Sequence, residues 1–225
     1  MRLPTTPSDA NGTSCDAAQA IVSSRFLGSR KPLCRLIKGG SAQTVGYNGA
    51  VDFVLQDFRP EDFEILWQID QQCFAPGIAY SRRELAAYIR RRGSFTVVAR
   101  DLATNQAPPM PGQPSSSALG GILGFIVAEG GRRGVGHVIS IDVLPANRRL
   151  GIGSRLLRTA EERLQTARCH TVILETAVDN ASALAFYKRH RYSVAKIVPR
   201  YYSNGVDAFL MDKNLLATEA VRQGL

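Results

Sequence analysis

The stretch HVISIDVLPANRRLGIGSRLLR, residues 137 to 158, constrains this chain more than any other. Val138, Ile139, Ile141, Val143 and Leu144 form a short β-branched run that closes at Pro145, which cannot donate to a sheet ladder, so a strand ends there. Leu156, Leu157, Ala160 and Leu164 then recur at helical spacing, which predicts a helix from about Gly151. Between strand and helix, Arg149 to Ser154 place consecutive backbone N–H groups at a helix N-terminus, and Gly151 and Gly153 carry no Cβ to hold a ligand off the backbone. Such a turn suits an anion, a pyrophosphate above all. A Gly-X-Gly also serves as plain tight-turn chemistry, so the rest of the chain has to decide.

The neighbouring segments predict a mixed α/β fold. VDFVLQDF reads as a first strand from Val51, and Pro60 to Cys73 as a helix with Pro60, Glu61 and Asp62 in its first turn. FAPGIAY is a loop with Phe74 and Tyr80 at its ends. Ser81 and Glu84 form a capping-box signature for a helix through Arg90, and SFTVVAR is the next strand. ILGFIVAE and HVISIDVLP predict a hairpin around Gly130 to Gly134. After the central helix come a strand in TVILETA, a helix over 180–190, and two closing strands, SVAKIVPRYY and DAFLMDKNL, joined by Ser203-Asn204-Gly205. The order β-α-α-β-β-β-α-β-α-β-β gives about seven strands with about four helices, rather than a repeated βαβ winding.

One domain over 51–216 is expected. Residues 1–50, rich in Ser, Thr, Gly and Ala, read as a poorly ordered extension, with a transit peptide as the weaker alternative. Residues 101–121, rich in Pro, Ser and Gly, read as a flexible insertion, and 217–225 as a tail. With 44% hydrophobic residues in 225, the chain can bury a core, and no run is long and apolar enough to span a bilayer. Its 28 Lys and Arg against 19 Asp and Glu give +9, which favours acidic ligands without choosing among them. Cys15, Cys34, Cys73 and Cys169 lack C-x-x-C spacing and His137, His170 and His190 lack H-x-x-x-H, so no metal site is expected, and a reducing, cytoplasmic setting is the default.

Three residues can gather at the anion turn. Glu175 lies in the strand after the central helix and approaches the same cleft if that strand pairs beside the strand at 137–145. Asn180 stands at a helix start, and Tyr187, two turns on, returns to the same helical face. A carboxylate, an amide and a phenol beside a pyrophosphate site suit acyl transfer to an amine: Glu175 takes the amine's proton, Tyr187 protonates the departing thiolate, and free N–H groups near Val143 polarise the acyl carbonyl. Singly, each has a structural explanation, as ion-pair partner, N-cap and core aromatic. Cys73 and Cys169 lack a matched base and are not expected to act as nucleophiles.

RRLGIG at 148–153 resembles the R/Q-x-x-G-x-G/A motif of the GNAT superfamily of N-acetyltransferases, and LETAVDNASALAFYKRHRY at 174–192 is similar to its L-E-V…N…Y…G-F segment. RYYSNGVDAFLMDKNL at 200–215 resembles the closing stretch of the branch containing the ribosomal-protein alanine N-acetyltransferases. The resemblance implies that Arg148, Arg149, Leu150, Gly151, Ile152, Gly153 and Ser154 bind the pyrophosphate of acetyl-CoA, that Val143, Leu144 and Pro145 line its pantetheine arm, and that Asn180 touches the cofactor. It implies Glu175 as general base and Tyr187 as general acid. Phe74, Tyr80, Tyr201 and Tyr202 would hold the acceptor, a protein N-terminus or other primary amine, with ribosomal-protein contact as an option. Thr176 stands where the family has Val. Arg191-Tyr192 replaces the usual Gly-Phe, which questions the turn after that helix.

Two other classes compete. A dinucleotide-binding module would use Gly151 and Gly153, but Leu156 occupies the third glycine position and no further βαβ unit follows. A non-catalytic basic protein on the same scaffold fits the charge but leaves Glu175, Asn180 and Tyr187 without a purpose.

Overall fold

A computed structural model of the chain describes residues 52–102 and 120–216. The readings made above for residues 1–50, for 103–119 within the insertion and for 217–225 lie outside the described residues. A seven-stranded sheet runs in the order β1-β2-β3-β4-β5-β7-β6. Its strands are β1 (Phe53–Asp57), β2 (Ser94–Asp101), β3 (Ile122–Gly130), β4 (Val135–Val143), β5 (Thr171–Ala177), β6 (Ser193–Val198) and β7 (Ala208–Asn214). The helices are α1 (Phe63–Cys73), α2 (Arg82–Arg90), α3 (Ile152–Thr166) and α4 (Ala181–Arg189). This is the mixed α/β architecture expected from the element order.

Each face of the sheet has its own apolar layer. On one, Ile152, Leu156, Leu157, Ala160 and Leu164 of α3 pack with Val97, Ile126, Val138, Val172 and Met211. On the other, Leu66 and Ile69 of α1 and Leu85 of α2 cover Val98, Phe125 and Val127. Those α3 residues recur at helical spacing, which is why one stripe of the helix is wholly buried. Ser81 caps α2 as its sequence predicts: its Oγ accepts from Glu84 N, and Glu84 Oε2 accepts from Ser81 N at 2.8 Å.

The parallel contact between β4 and β5 covers only Val135–His137 against Thr171–Ile173. Beyond it, β4 stays paired to β3 as far as Val143 and β5 to β7 as far as Ala177. The sheet therefore opens between β4 and β5, and the two strand ends face a common cleft. A bulge in β4, where Val127 pairs with Ser140 but Ala128 with Val138, re-aims the residues on the cleft side.

Two readings need correction. The strand expected through SVAKIVPRYY stops at Val198. Pro199 has no N–H for the ladder, Arg200 is left-handed at φ 48°, and its N–H turns to Asp207 Oδ1 at 2.7 Å. Tyr201 and Tyr202 thus lie in a loop. The turn after α4 is also formed without glycine: Arg191 takes the left-handed position at φ 67°. Arg191 N donates to Lys188 O at 3.0 Å and Tyr192 N to Tyr187 O at 3.1 Å, the pair of bonds that closes a helix in a Schellman motif. Tyr192, in the usual Phe position, is buried, with its hydroxyl on Glu161 Oε1 at 3.0 Å while Lys213 Nζ holds Glu161 Oε2 at 2.7 Å.

Candidate active site

At the mouth of the β4–β5 opening lies a cavity of ≈ 110 Å³ lined by Gly77 to Tyr80, Glu84, Ile139, Glu175 and Tyr201 to Ser203. Four segments far apart in sequence meet here. Ser203 Oγ donates to Gly77 O at 2.9 Å and ties the loop after β6 to the loop after α1. Gly77 is left-handed at φ 85°, and a Cβ there would come within 2.9 Å of Asn204 Cβ, so this approach requires glycine.

Glu175 is a carboxyl group at the inner wall of this cavity. Its side chain is 6% exposed, and Oε2 lies 2.7 Å from His137 Nε2. Oε1 is buried with no partner at full hydrogen-bond geometry, and the Tyr201 hydroxyl interacts with the same carboxyl. Burial alone would pull the His137 pKa down, but the charge and hydrogen bond of Glu175, helped by Glu129, outweigh it and hold His137 above its ordinary value. His137 had no role in the sequence reading. The β4–β5 register sets it there, because His137 pairs with Ile173 and Glu175 follows two residues on, on the same face.

Three phenols wall the cavity. Burial, followed by neighbouring phenols or the Glu175 charge, pushes Tyr80, Tyr201 and Tyr202 above the usual tyrosine value, so all three stay neutral at physiological pH. Tyr80 reaches Ile139 O at 3.3 Å. The fourth expected acceptor residue, Phe74, caps the end of α1 and does not line this cavity. Glu84, Ile139 and Ser203 do line it, without any signal in local sequence.

Tyr187 sits in the layer beneath α3, 6% exposed, against Phe186 and Tyr192. Burial first, then the charges of Tyr202, Asp142 and Glu175, push its pKa up. It is therefore a neutral phenol within electrostatic reach of Glu175. Asn180 is the N-cap of α4, its Oδ1 accepting from Ala183 N at 3.0 Å.

The turn into α3 has the features of an anion site. Arg149 and Gly151 are left-handed, at φ 65° and 83°. The first intrahelical bond is Arg155 N to Gly151 O at 3.0 Å, which leaves the N–H groups of Ile152, Gly153 and Ser154 ahead of the ladder. No acidic residue occupies the first turn and no side chain caps it, so its positive end is not neutralised from within. The two glycines sit in different surroundings. Gly151 meets a conformational need at φ 83° with open space where its Cβ would be, whereas a Cβ on Gly153 would be in ordinary contact with Phe186 at 3.6 Å and Val143 at 3.7 Å. Val143 O accepts from Arg148 Nε at 3.1 Å, which anchors the turn to the end of β4.

Residues 63–192 match the model of the acetyltransferase (GNAT) family. The chain belongs to that family. The matched region contains the GNAT turn, Glu175 and Tyr187, and stops short of Tyr201 and Tyr202. An uncharacterized N-acetyltransferase of Methanocaldococcus jannaschii is 44% identical over 81 residues, 36% of this chain and 52% of that protein. An N-alpha-acetyltransferase of Sulfurisphaera tokodaii is 40% identical over 77 residues, 34% of this chain and 46% of that protein. The chain thus spans about half the length of the curated relatives it matches. The ribosomal-protein-S18-alanine N-acetyltransferase of Escherichia coli shares the GNAT fold with a TM-score of 0.57 at 20% identity, over 72% of this chain and 94% of that one. Among the described residues, no helix is long and apolar enough to cross a membrane, and no cluster of three or more His, Cys, Asp or Glu is placed to hold a metal.

Proposed function

We propose that this protein is an N-acetyltransferase that transfers the acetyl group of acetyl-CoA directly to the N-terminal α-amine of a protein. The observation that carries the reading is the buried Glu175 carboxyl, held on Oε2 by His137, in a tyrosine-walled cavity at the β4–β5 opening. The residues at the α3 turn fit the cofactor: free N–H groups of Ile152 to Ser154, an uncapped positive helix end, and Arg148 and Arg149 beside it. Val143, Leu144 and Pro145 continue from that turn along the cleft for the pantetheine arm. Acetyl-CoA held there supplies the acetyl group as a thioester.

The chain's own groups then divide the work. Glu175 Oε1 accepts the proton that the amine must lose to become a nucleophile, while His137 holds Oε2 and so fixes which oxygen faces the cavity. Tyr80, Tyr201 and Tyr202 shape the space around the amine. Tyr187, a neutral phenol, donates the proton that the departing thiolate needs. The printed name of the Sulfurisphaera tokodaii relative, an N-alpha-acetyltransferase, supports the α-amine over a lysine. A cytoplasmic setting suits the free thiols of Cys73 and Cys169.

Calorimetric titration with acetyl-CoA, with NAD as control, followed by an acceptor screen tests this. Saturable acetyl-CoA binding is expected, with turnover of N-terminal peptides, ribosomal-protein N-termini among them, ahead of lysine side chains and small amines. A folded protein that binds neither ligand overturns the enzymatic reading.

A further inference from the structure

Beneath the cavity, outside the residues used above, two carboxyl groups are buried between α1 and β4. Asp70 is 0% exposed and Asp142 1%. Cys73, one turn after Asp70 on the same face of α1, reaches Val143 O at 3.4 Å, so this face of the helix lies against β4 beside Asp142. Asp70 Oδ2 accepts from Tyr80 N at 2.9 Å and from Gln71 Nε2 at 2.9 Å, and Gln71 Nε2 also reaches Tyr80 O at 2.8 Å. Asp142 Oδ2 accepts from Ser140 Oγ at 2.6 Å. The other oxygen of each, Asp70 Oδ1 and Asp142 Oδ1, is buried with no hydrogen-bond partner.

We propose that Asp70 and Asp142 share one proton across the α1–β4 contact, and that this acid–carboxylate pair positions the Tyr80 wall of the cavity. Two ionised carboxylates buried on these facing elements repel each other, and one oxygen of each lacks a donor. One proton answers both needs, because a protonated carboxyl becomes a donor to the orphan oxygen opposite. Asp70 is the better carboxylate, since both of its partners are N–H donors. Asp142 is then the acid.

The surrounding groups agree with that division. Asp142 is faced by Asp70, Ser140 and Arg148; its pKa is pushed well up by burial first and the Asp70 charge second, with Ser140 and Arg148 opposing. Asp70 is faced by Asp142, Tyr80, Gln71 and Glu84; burial pushes it up to about 7 against the Tyr80 and Gln71 bonds, with Glu84 adding to the rise. Cys73, raised by burial to about 11, stays neutral beside the pair, and Tyr187, raised by burial, stays neutral within electrostatic reach of Asp142. As pH rises and the proton leaves, two charges oppose each other beneath Tyr80. Acceptor KM should then rise before kcat falls. That consequence rests on the acetyltransferase reading; the shared proton does not.

Carboxyl-¹³C NMR of the full chain labelled at aspartate tests the proton directly, with Asp70→Asn and Asp142→Asn for assignment. One signal of the pair is expected to keep a protonated shift at neutral pH and to vanish in Asp142→Asn, whose amide N–H replaces the acid as donor. Ionised shifts for both groups at pH 7 overturn the proposal. In peptide kinetics, wild-type KM should rise on the order of tenfold at alkaline pH, the size of one lost charge-assisted hydrogen bond. Asp142→Asn, with a donor that does not titrate, should stay flat, while the same alkaline rise in Asp142→Asn overturns the positioning role. If no acceptor is turned over, the acetyltransferase reading fails and the NMR result still decides the proton.

Discussion

The anion site proposed at the α3 turn is built from consecutive residues, Arg148 to Ser154, and most of its groups are backbone N–H groups. The cavity draws its wall from the loop after α1, from α2, from both strands of the opening and from the loop after β6, with Tyr80, Glu84, Glu175, Tyr201 and Tyr202 among its lining residues. A site made of backbone tolerates changes of side chain and is sensitive to φ. A site assembled by topology depends on single side chains and on the register that brings them together. Substitutions on the two sides should therefore separate binding of the cofactor from chemistry on the acceptor.

The largest effect is expected on the cavity side. Glu175→Gln keeps shape and removes the proposed proton acceptor, so turnover should fall by about 10²–10⁴-fold, the usual contribution of a positioned base. Acetyl-CoA affinity, measured calorimetrically, should stay within about twofold, since the turn is untouched. Parent-like turnover would place the base elsewhere.

His137→Ala tests the register rather than the base. It removes a partner from a buried carboxylate at a cost of about 1.5–3 kcal/mol, the range for hydrogen bonds to charged groups. The sign of the pH dependence follows from the raised His137 pKa. The protonated ring is favoured in the fold, so its contribution is fully present below the ordinary histidine value of about 6.5 and is lost as pH rises through the raised one. Denaturant melts of parent and variant should differ most below pH ~6.5 and converge in alkali. A pH-independent gap would mean that His137 contributes packing alone.

On the cofactor side, Gly151→Val forces a β-branched residue into φ 83°. A left-handed L-residue costs about 1–2 kcal/mol, so acetyl-CoA binding should weaken by about tenfold. Gly153→Ala is the control, because its Cβ finds ordinary contact with Phe186 and Val143 and its backbone is not left-handed. Equal losses in both variants would mean that the missing Cβ, rather than the backbone angle, is what the site uses.

The same contrast explains what could be read from sequence. Pro145, the α3 stripe and the Ser81–Glu84 cap are local patterns, and each marks an element that the structure contains. His137 is not local: its place beside Glu175 depends on a ladder only three residue pairs long. Glu84 looked like a cap and is one, yet it also lines the cavity, which only the fold of the Gly77 loop against Ser203 brings about. Val198-Pro199-Arg200-Tyr201 continues an apolar run, and its strand ends because of a missing N–H and a left-handed residue. Asn180 fits the cap pattern, and its Oδ1 is spent on Ala183 N.

Arginine in left-handed positions escaped the sequence pattern altogether, since glycine is the residue expected there. Arg133, Arg149, Arg168, Arg191 and Arg200 all have φ between 48° and 67°. At Arg168 and Arg191 the position closes a helix. Arg168 N donates to Gln165 O at 2.8 Å with Cys169 N on Leu164 O at 2.9 Å, the same two bonds that Arg191 and Tyr192 make after α4. The side chain of Arg191 is exposed, so the backbone strain is not offset by burial there. Arg191→Gly should remove that strain and stabilise the fold by up to about 1 kcal/mol, reduced by the extra freedom glycine gains when unfolded. Chemical denaturation should show a higher midpoint with unchanged slope, and acetyl-CoA affinity should not move. A lower midpoint would show that the arginine side chain itself holds the α4 end, and that the family's Gly-Phe was replaced by a contact rather than by a tolerated strain.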